Sequence, residues 1–345
     1  MAAKIKVLVV DDSAFMRSMI TKMLESDSEI EVVGTARNGQ EAIERVEALK
    51  PDVVTLDIEM PVMNGIEALR HIMNNNPLPV IMFSSLTGEG AEITLEALNI
   101  GASDFIAKDF SNFSIKISGK ESELINKIKT VAKKKTMYLL RRITLHRKPI
   151  TMNSPKRMKH GVLAIGASTG GPPAIEHILS SIPGDFPVPI VIAQHMPKLF
   201  TKSFAQRLNN NSKIEVKEAE NGEALKIGTA LIAPGDSHMG IRRRNHEVVV
   251  EFINDAKYVY RPSVDLLFSS TAQAYGAESV CVILTGMGND GFVGIKEIKS
   301  KNGYVIAQDE ETCVVYGMPR AVVNAQLADA VLPIDKIAEA IIKNL

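Results

Sequence analysis

The chain has 345 residues, 45% of them apolar and 23% charged, which is the composition of an ordinary globular protein of about two domains. It has no tryptophan and no apolar run of the roughly 18 residues that a membrane span needs, which excludes an aromatic base-stacking surface and an integral membrane protein. The formal net charge is zero, yet residues 116–160 hold fourteen lysines and arginines against two acids, which predicts a basic connector between two acidic blocks.

The first block alternates short apolar runs with segments of helical periodicity. The first helical pattern begins after Asp12, where apolar residues recur at intervals of three and four positions. Strand–helix units of this length pack as a doubly wound parallel sheet. Five apolar runs are the predicted strands: IKVLVV, IEVVGTA, DVVTL, PVIMF and GASDFIA.

Polar residues close four of these predicted strands. Asp11 and Asp12 follow the first strand, Asp57 the third, Ser84 the fourth and Lys108 the fifth. Function in doubly wound sheets gathers at the carboxyl ends of the strands, which predicts that these side chains form one cluster. Clustered carboxylates repel unless a cation joins them, and oxygen ligands suit Mg²⁺. Lys108 and Ser84 would then bind the oxygens of an incoming phosphoryl group.

The motifs VVDDS, LDIEMPVMNG, MFSS and GASDFIAKD together resemble the receiver domain of bacterial response regulators. The resemblance implies a five-stranded, flavodoxin-like fold in which Asp57 is the phospho-acceptor. It also implies that Mg²⁺ is held by Asp11, Asp12, Asp57 and the backbone carbonyl of Glu59. A chance cluster of acids at strand ends would not bring so many motif residues into register.

The same resemblance implies a switch in which Ser84, Phe105 and Lys108 respond to phosphorylation. The modification adds about −1.5 to −2 charges, enough to bias a loop or an interface. One residue departs from the family pattern, because Asp109 follows Lys108 where the family usually has proline. The conformation of that peptide bond and its local electrostatics are therefore left open.

The second block opens with VLAIGASTGGP, an apolar run that ends in a glycine-rich turn. A dinucleotide cradle would need glycine where Ser168 stands, and a phosphate-binding loop would need lysine where Pro172 follows Gly171. The turn instead fits G-x-S-x-G through Gly166, Ser168 and Gly170, the pattern of a nucleophile elbow. The helix predicted after this turn would direct its backbone N–H groups and its positive end at the serine.

A serine hydroxyl is a weak nucleophile without a neighbouring base, and histidine commonly supplies that base. His195 closes the apolar run PIVIAQHMP and so directly follows a strand, which favours it as the base. His238 lies in a predicted turn of LIAPGDSHMG and is interpreted as a substrate-side or structural histidine. His177 lies within a helical pattern and His246 in a charged loop, so neither is favoured.

The base in turn needs a carboxylate that orients its imidazole. Asp290 lies after a strand on the turn of LTGMGNDG, where glycines let the backbone approach a substrate closely. Asp265, in RPSVDLLF, is interpreted as a helix-capping residue, and Asp309 is the reserve candidate. The predicted triad is Ser168, His195 and Asp290, an order along the chain that differs from that of α/β-hydrolases.

Several motifs make residues 160–345 similar to the catalytic domain of the chemotaxis protein-glutamate methylesterase family. They are AIGASTGGP, QHMP, APGDSHM, RPSVDLLF, LTGMGNDG and IAQDEETCVVYGMPRAV. The resemblance implies a Rossmann-like, doubly wound domain and assigns the triad to the same three residues. It also implicates Thr169 and the backbone N–H of Met287 near the reacting carbonyl.

The resemblance further implies a reaction and its partners. The substrates are γ-methyl glutamyl esters and specific glutamines on the cytoplasmic helices of methyl-accepting chemoreceptors, and a chemotaxis histidine kinase is the phosphodonor. Mg²⁺ serves the receiver, and the esterase uses no cofactor. The short N-terminal apolar run and the two cysteines, which make no metal spacing, predict a cytoplasmic location. Neither a nucleic-acid partner nor direct membrane insertion is expected.

These patterns predict a receiver domain at residues 1–125, a basic linker at 126–158 and a catalytic domain at 159–345. An alternative is a receiver-controlled regulator that binds nucleic acid through KKKTMYLLRRITLHRKP, residues 133–149. Basic runs bind phosphates, but this one contains no recognisable reading helix, which favours a solvated linker. A second alternative is a non-catalytic phospho-switch scaffold, against which the complete predicted triad argues.

Overall fold

The computed structural model describes residues 3–108, 117–132 and 161–345 of the chain. The chain divides into two compact units, Met1–Thr144 and Leu145–Leu345, and each is an α/β structure. Across the described ranges, no helix combines the length and the apolar character that a membrane crossing requires.

The first unit is built on a parallel sheet of five strands in the order β2-β1-β3-β4-β5, with helices in the connections. This is the flavodoxin-like strand order, so the fold predicted for the first block is confirmed. Its strands are β1 (Ile5–Val10), β2 (Ile30–Ala36), β3 (Val53–Asp57), β4 (Val80–Ser85) and β5 (Asp104–Lys108), and its helices are α1 (Ala14–Glu25), α2 (Gly39–Leu49), α3 (Gly65–Asn75), α4 (Gly88–Ile100) and α5 (Ile117–Ala132).

The apolar runs become strands because helices cover both faces of a doubly wound parallel sheet, so its strands are buried almost throughout. All five residues of β3 are buried, including Asp57 at its end. Side-chain caps then fix where the helices begin: Asn38 caps α2, Thr87 caps α4, and Asn64 forms a capping box with Glu67 at α3. The caps thereby determine which residues stand at the carboxyl edge of the sheet.

Helix α5 runs past residue 125, where the sequence pattern placed the end of the receiver. Lys127 pairs with Asp104 at 3.1 Å, and Lys129 pairs with Asp27 at 2.7 Å. These ion pairs fasten the last turns of α5 to β5 and to the connection between α1 and β2, so the whole helix belongs to the first unit. The predicted linker beyond this helix, and the basic run within it, lie outside the described residues.

The second unit is built on a parallel sheet of seven strands in the order β14-β13-β12-β6-β7-β9-β8, with an antiparallel pair, β10–β11, beside it. The doubly wound, Rossmann-like fold predicted for the second block is confirmed. The strands are β6 (Val162–Ala167), β7 (Ile190–Gln194), β8 (Glu215–Glu218), β9 (Thr229–Ile232), β10 (His238–Arg244), β11 (Glu247–Ile253), β12 (Ser279–Ile283), β13 (Tyr304–Gln308) and β14 (Ala330–Leu332), and the helices are α6 (Gly171–Ser181), α7 (Lys198–Asn211), α8 (Val264–Tyr275), α9 (Phe292–Ser300), α10 (Met318–Asn324) and α11 (Ile334–Asn344).

The antiparallel pair corrects the placement of His238 in a turn. His238 is the first residue of β10 and is fully buried. The glycine and aspartate before His238 do form a turn, at residues 235 and 236, and the strand begins just after it. A second turn, at Asn245, with φ 51°, and His246, forms the tip of the hairpin.

The strand order decides which loops of the second unit meet. β6 pairs with β12 on one side and with β7 on the other, so the segments after these three strands emerge side by side. The chain leaves β6 for β7 and later returns to β12 on the opposite flank. Such a reversal of strand order creates the crevice in which doubly wound folds bind their ligands.

Candidate active site

Three side chains from these neighbouring loops form a hydrogen-bonded chain. The Oγ of Ser168 lies 3.1 Å from Nδ1 of His195, and Nε2 of His195 lies 2.8 Å from Oδ2 of Asp290. Asp290 is buried, while Ser168 and His195 are half-buried. The predicted triad residues, 27 and 95 positions apart along the chain, are thus brought together in the order that proton transfer requires.

Ser168 lies on the sharp turn between β6 and α6. Its backbone N–H donates to the carbonyl of Thr285 at 3.0 Å, and its own carbonyl accepts from the N–H of Gly171 at 2.8 Å. Gly170 has a left-handed φ of 76°, and a Cβ at this position would come within 2.4 Å of Val314. Glycine is therefore required here on both conformational and steric grounds.

A glutamine side chain connects the turn of Ser168 to His195. Gln194 ends β7 and is 2% exposed, and its Nε2 donates to the carbonyls of Ser168 and His195 at 3.0 Å each. Its Oε1 has no hydrogen-bond partner within the described residues, and a Cβ at Gly171 would lie 2.0 Å from it. Gln194 is not among the predicted site residues; the signal that could have indicated it is a polar residue that ends a wholly apolar strand directly before the predicted base.

The carboxylate of Asp290 accepts hydrogen bonds at the start of α8 as well as from His195. Oδ2 accepts from the N–H of Val264 at 2.8 Å, and Oδ1 accepts from the N–H of Asp265 at 2.9 Å and the hydroxyl of Ser263 at 3.2 Å. Burial works to raise the pKa of Asp290, but these bonds and the one from His195 lower it below its ordinary value. Asp290 is therefore a fixed, ionised acceptor.

Asp265 was predicted to cap the helix that it opens, but its carboxylate binds the start of another helix. Ser263 is the N-cap of α8, whereas the carboxylate of Asp265 accepts from the N–H of Gly294 in the first turn of α9, at 2.9 Å. Burial and the nearby charge of Asp290 raise the pKa of Asp265 to about 6. Its place is beside the triad carboxylate rather than against the histidine.

Two further aromatic side chains, Tyr260 and His238, lie near the triad. The ring of Tyr260 stacks on the imidazole of His195, with centroids 4.8 Å apart and planes 12° apart. His238 accepts the N–H of Ser263 at Nδ1, 3.2 Å away, which makes the Nε2–H tautomer the consistent one. Burial and the charge of Arg261 lower the pKa of His238. Nothing in the local sequence distinguishes Tyr260, because the contact depends on the fold.

The residues expected near the reacting carbonyl also border Ser168. Thr169 is buried, and its carbonyl accepts the hydroxyl of Thr285 at 2.9 Å. Met287 is half-buried in the loop after β12. A Cβ at the preceding Gly286 would lie 2.8 Å from the Cβ of Ser168, so the backbone of this loop passes close to the nucleophile.

The first unit holds a second cluster, at the carboxyl edge of its own sheet. Carboxylate oxygens of Asp11, Asp12 and Asp57 all lie within 4.8 Å of one another. The ammonium of Lys108 is 2.7 Å from Oδ1 of Asp57 and 3.1 Å from Oδ2 of Asp11. Burial raises the pKa of Asp57 to about 6, although Lys108 acts in the opposite direction. Against the effect of burial, these carboxylates raise the pKa of Lys108.

This cluster fits a magnesium ion by its donor chemistry. Oδ2 of Asp11 is buried and lies 3.1 Å from the ammonium of Lys108, and it has no further hydrogen-bond donor among the described residues. A buried carboxylate oxygen of this kind is a ready ligand for a hard cation, and three carboxylates around one point suit Mg²⁺. Glu59, whose backbone carbonyl is the fourth predicted ligand, is exposed two residues after Asp57.

The predicted switch residues lie on the neighbouring strands. Ser84 is buried, and its hydroxyl accepts from Thr94 at 2.6 Å and is 3.2 Å from the carbonyl of Gly90, so it is engaged with α4 rather than with the carboxylates. Phe105 is buried, and its carbonyl accepts from the ammonium of Lys127 at 2.7 Å. Asp109, which replaces the usual proline, lies outside the described residues, so its effect stays open.

Comparisons with known proteins find matches for both units. The family model for CheB methylesterase matches residues 163–341, and the model for the response regulator receiver domain matches residues 7–117. A protein-glutamate methylesterase/protein-glutamine glutaminase of Lawsonia intracellularis is 48% identical over 97% of this chain and 98% of its own length. One of the same name from Pyrococcus horikoshii is 48% identical over 99% of this chain and 94% of its own.

A solved structure covers the second unit. The CheB methylesterase catalytic domain of Thermotoga maritima matches with a TM-score of 0.53 and 45% identity, over 54% of this chain and 99% of that domain. None of these matches favours the nucleic-acid-binding regulator or the non-catalytic scaffold. The chain belongs to the CheB methylesterase family and is a chemotaxis response regulator in which a receiver domain precedes a methylesterase and glutaminase domain.

Proposed function

We propose that Ser168 is the nucleophile of this hydrolase and that it acts on γ-methyl glutamyl esters and selected glutamines of methyl-accepting chemoreceptors. The observation that carries the proposal is the chain of hydrogen bonds from Ser168 through His195 to Asp290. The names of the relatives, protein-glutamate methylesterase and protein-glutamine glutaminase, support the choice of ester and amide.

The orientation of His195 decides which nitrogen moves the proton. Asp290 is an ionised acceptor, so Nε2 carries the hydrogen that it binds, and Nδ1 is left with a lone pair toward Ser168. As the Oγ of Ser168 attacks the ester carbonyl, its proton passes to Nδ1. The imidazolium then returns this proton to the departing methoxide, so methanol leaves and an acyl-serine remains.

Water completes the cycle by the same route. His195 takes a proton from water while the hydroxide adds to the acyl carbonyl, and the proton is then returned to Ser168 as the glutamate carboxyl is released. With a glutamine side chain the first step expels ammonia, protonated by the imidazolium, in place of methanol. One arrangement of groups therefore serves both reactions.

Developing negative charge on the carbonyl oxygen needs donors beside Ser168. We assign this role to the backbone N–H of Met287, supported by the close approach of the Gly286 backbone to the serine. On the side of the carbonyl oxygen opposite Met287, we assign the stabilisation of negative charge to Thr169 and the start of helix α6, because the positive end of a helix favours an oxyanion.

Asp57 is the proposed site of phosphorylation, with a chemotaxis histidine kinase as donor. Asp11, Asp12, Asp57 and the carbonyl of Glu59 would hold Mg²⁺, which neutralises the charge of the phosphoryl group during transfer. Lys108, already paired with Asp57, would bind a phosphoryl oxygen. Movement of Ser84 and Phe105 would then pass the signal on and raise the hydrolase activity.

The proposed site of action is the cytoplasm, because the substrate glutamates belong to the cytoplasmic helices of the receptors. The direct test measures methanol release from methylated receptor by the full-length protein, with and without a small phosphodonor and Mg²⁺. We expect release that the phosphodonor increases. Failure to release methanol under either condition would contradict the proposal.

A further inference from the structure

Tyr260 is the aromatic residue that covers the ring of His195. The two rings are nearly parallel, with planes 12° apart and centroids at 4.8 Å, so the contact is an offset parallel stack. Tyr260 is nevertheless 40% exposed, which makes it one of the more exposed large side chains in the described residues. One face of its ring is therefore committed to the proposed base while the rest borders the open cleft.

Side-chain hydrogen bonds anchor the segment that follows Tyr260. Arg261 donates to the carbonyl of Asp236 at 3.1 Å and to Oδ1 of Asn254 at 3.2 Å. Ser263, three residues after Tyr260, donates its hydroxyl to Oδ1 of Asp290 at 3.2 Å. One short segment thus contacts two members of the triad, the base through a ring and the carboxylate through hydrogen bonds.

The hydroxyl of Tyr260 reaches the other side of the cleft. It lies 3.5 Å from the position that a Cβ would take at Gly288, and the φ of 79° at Gly288 keeps that position a glycine. Gly288 adjoins Met287, the proposed oxyanion donor. The phenol therefore spans from the base to the loop that the carbonyl oxygen would face.

The stack becomes more favourable as the reaction proceeds. His195 is neutral before attack and becomes an imidazolium when it takes the serine proton, and the face of an aromatic ring attracts a cation. An interaction that strengthens toward the transition state increases kcat rather than substrate affinity. The stack also limits rotation of the imidazole, so Nδ1 stays directed at Ser168.

We propose that Tyr260 is a positioning residue for His195, which holds the imidazole in plane and stabilises its protonated form through the stacked ring. The ring, not the hydroxyl, carries this function. The inference rests on the proposed role of the Ser168–His195–Asp290 triad, and its test is arranged so that the two can fail separately.

The experiment measures methanol release from methylated receptor by the full-length protein in the presence of phosphodonor and Mg²⁺. Tyr260→Leu removes the aromatic face, Tyr260→Phe keeps it without the hydroxyl, and Val259→Ala alters the neighbouring apolar side chain, which is 86% exposed, as the matched control. We expect Tyr260→Leu to lower kcat roughly tenfold with KM changed less than twofold. Tyr260→Phe and the control should stay within twofold of wild type.

Three results would overturn the inference. They are a kcat for Tyr260→Leu within twofold of wild type, a loss that appears in KM alone, and a Tyr260→Phe variant as slow as Tyr260→Leu. If Tyr260→Leu unfolds, Tyr260→Met takes its place, because methionine also lacks an aromatic face and should lower kcat to a similar extent while Tyr260→Phe keeps most of the activity. Full activity in Ser168→Ala would instead reject the triad itself.

Discussion

Asp265 and Asp290 exchange hydrogen bonds between two helices, α8 and α9. Asp290, just before α9, accepts the N–H groups of Val264 and Asp265 at the start of α8, and Asp265, in the first turn of α8, accepts the N–H of Gly294 in α9. The exchange locks the two helices together at the point where Asp290 meets His195. Two carboxylates are thereby held close; burial and the charge of Asp290 raise the pKa of Asp265, whereas His195 and the backbone N–H groups lower the pKa of Asp290.

This pair predicts a pH dependence of stability. The pKa of Asp265 is about 6 in the folded chain against an ordinary 3.8, so between these values the folded state binds a proton that the unfolded state has lost. Stability therefore falls as pH rises from 3.8 to about 6, and the loss persists above that range. Relative to Asp265→Asn, we expect the wild type to lose about 1 kcal/mol, after allowance for solvent screening at this half-buried group.

The measurement is denaturant unfolding of both proteins, followed by circular dichroism at a series of pH values. The asparagine variant keeps an oxygen for the N–H of Gly294 but cannot titrate. Curves of unfolding free energy that run parallel across this pH range would show that Asp265 does not titrate as described.

Asp290→Asn should nearly abolish turnover while leaving most of the fold in place. The amide group would direct hydrogens toward either His195 or the start of α8, where acceptors are required, so the imidazole would lose its orientation. We expect kcat to fall by about 10³- to 10⁴-fold. Asp309→Asn, at the reserve candidate, is the matched control and should retain activity within a factor of about two, whereas the reverse pattern would move the triad to Asp309.

Gln194→Met tests the tie between the nucleophile turn and the base. The substitution keeps the length of the side chain but removes both hydrogen bonds to the carbonyls of Ser168 and His195. We expect a loss of about 1–3 kcal/mol in unfolding free energy, because a buried acceptor loses its donor. The melting temperature and the rate of methanol release should both fall. An unchanged melting temperature would contradict the described role of Gln194.

Substitutions in the first unit should change regulation and leave the basal reaction intact. In Asp57→Asn, we expect the phosphodonor to produce no increase in methanol release. In Asp11→Asn, we expect the Mg²⁺ concentration needed for half of the stimulation to rise by about tenfold, because a buried carboxylate ligand is lost. Stimulation that persists in Asp57→Asn would place the phospho-acceptor elsewhere.

Much of this molecule follows from local sequence patterns. The buried parallel strands are continuous apolar runs. Polar residues at or just after their ends mark the carboxyl edge of each sheet, where Asp57 lies in the first unit and Ser168 in the second. The glycines at the turn of Ser168 indicate a sharp turn, and Gly170 indeed has a left-handed φ. The spacing of strands and helices is also enough to indicate a doubly wound sheet, because parallel strands need such crossovers.

What local patterns missed depends on contacts between distant segments. The stack of Tyr260 on His195 and the hydrogen bonds of Gln194 exist only once three loops have met, so no local periodicity encodes them. His238 was misplaced because the glycine and aspartate before it suggested a turn, while a hairpin with a two-residue period follows. The choice of Nδ1 for the serine likewise depends on the direction from which Asp290 approaches.

The most direct test of the account is the turnover number of the full-length Ser168→Ala protein on methylated receptor, measured as methanol release with phosphodonor and Mg²⁺. If Ser168 attacks the ester with His195 as its base, kcat should fall by about 10⁴- to 10⁶-fold. A loss of less than tenfold would contradict the role of Ser168 as the nucleophile, and with it the proposed mechanism.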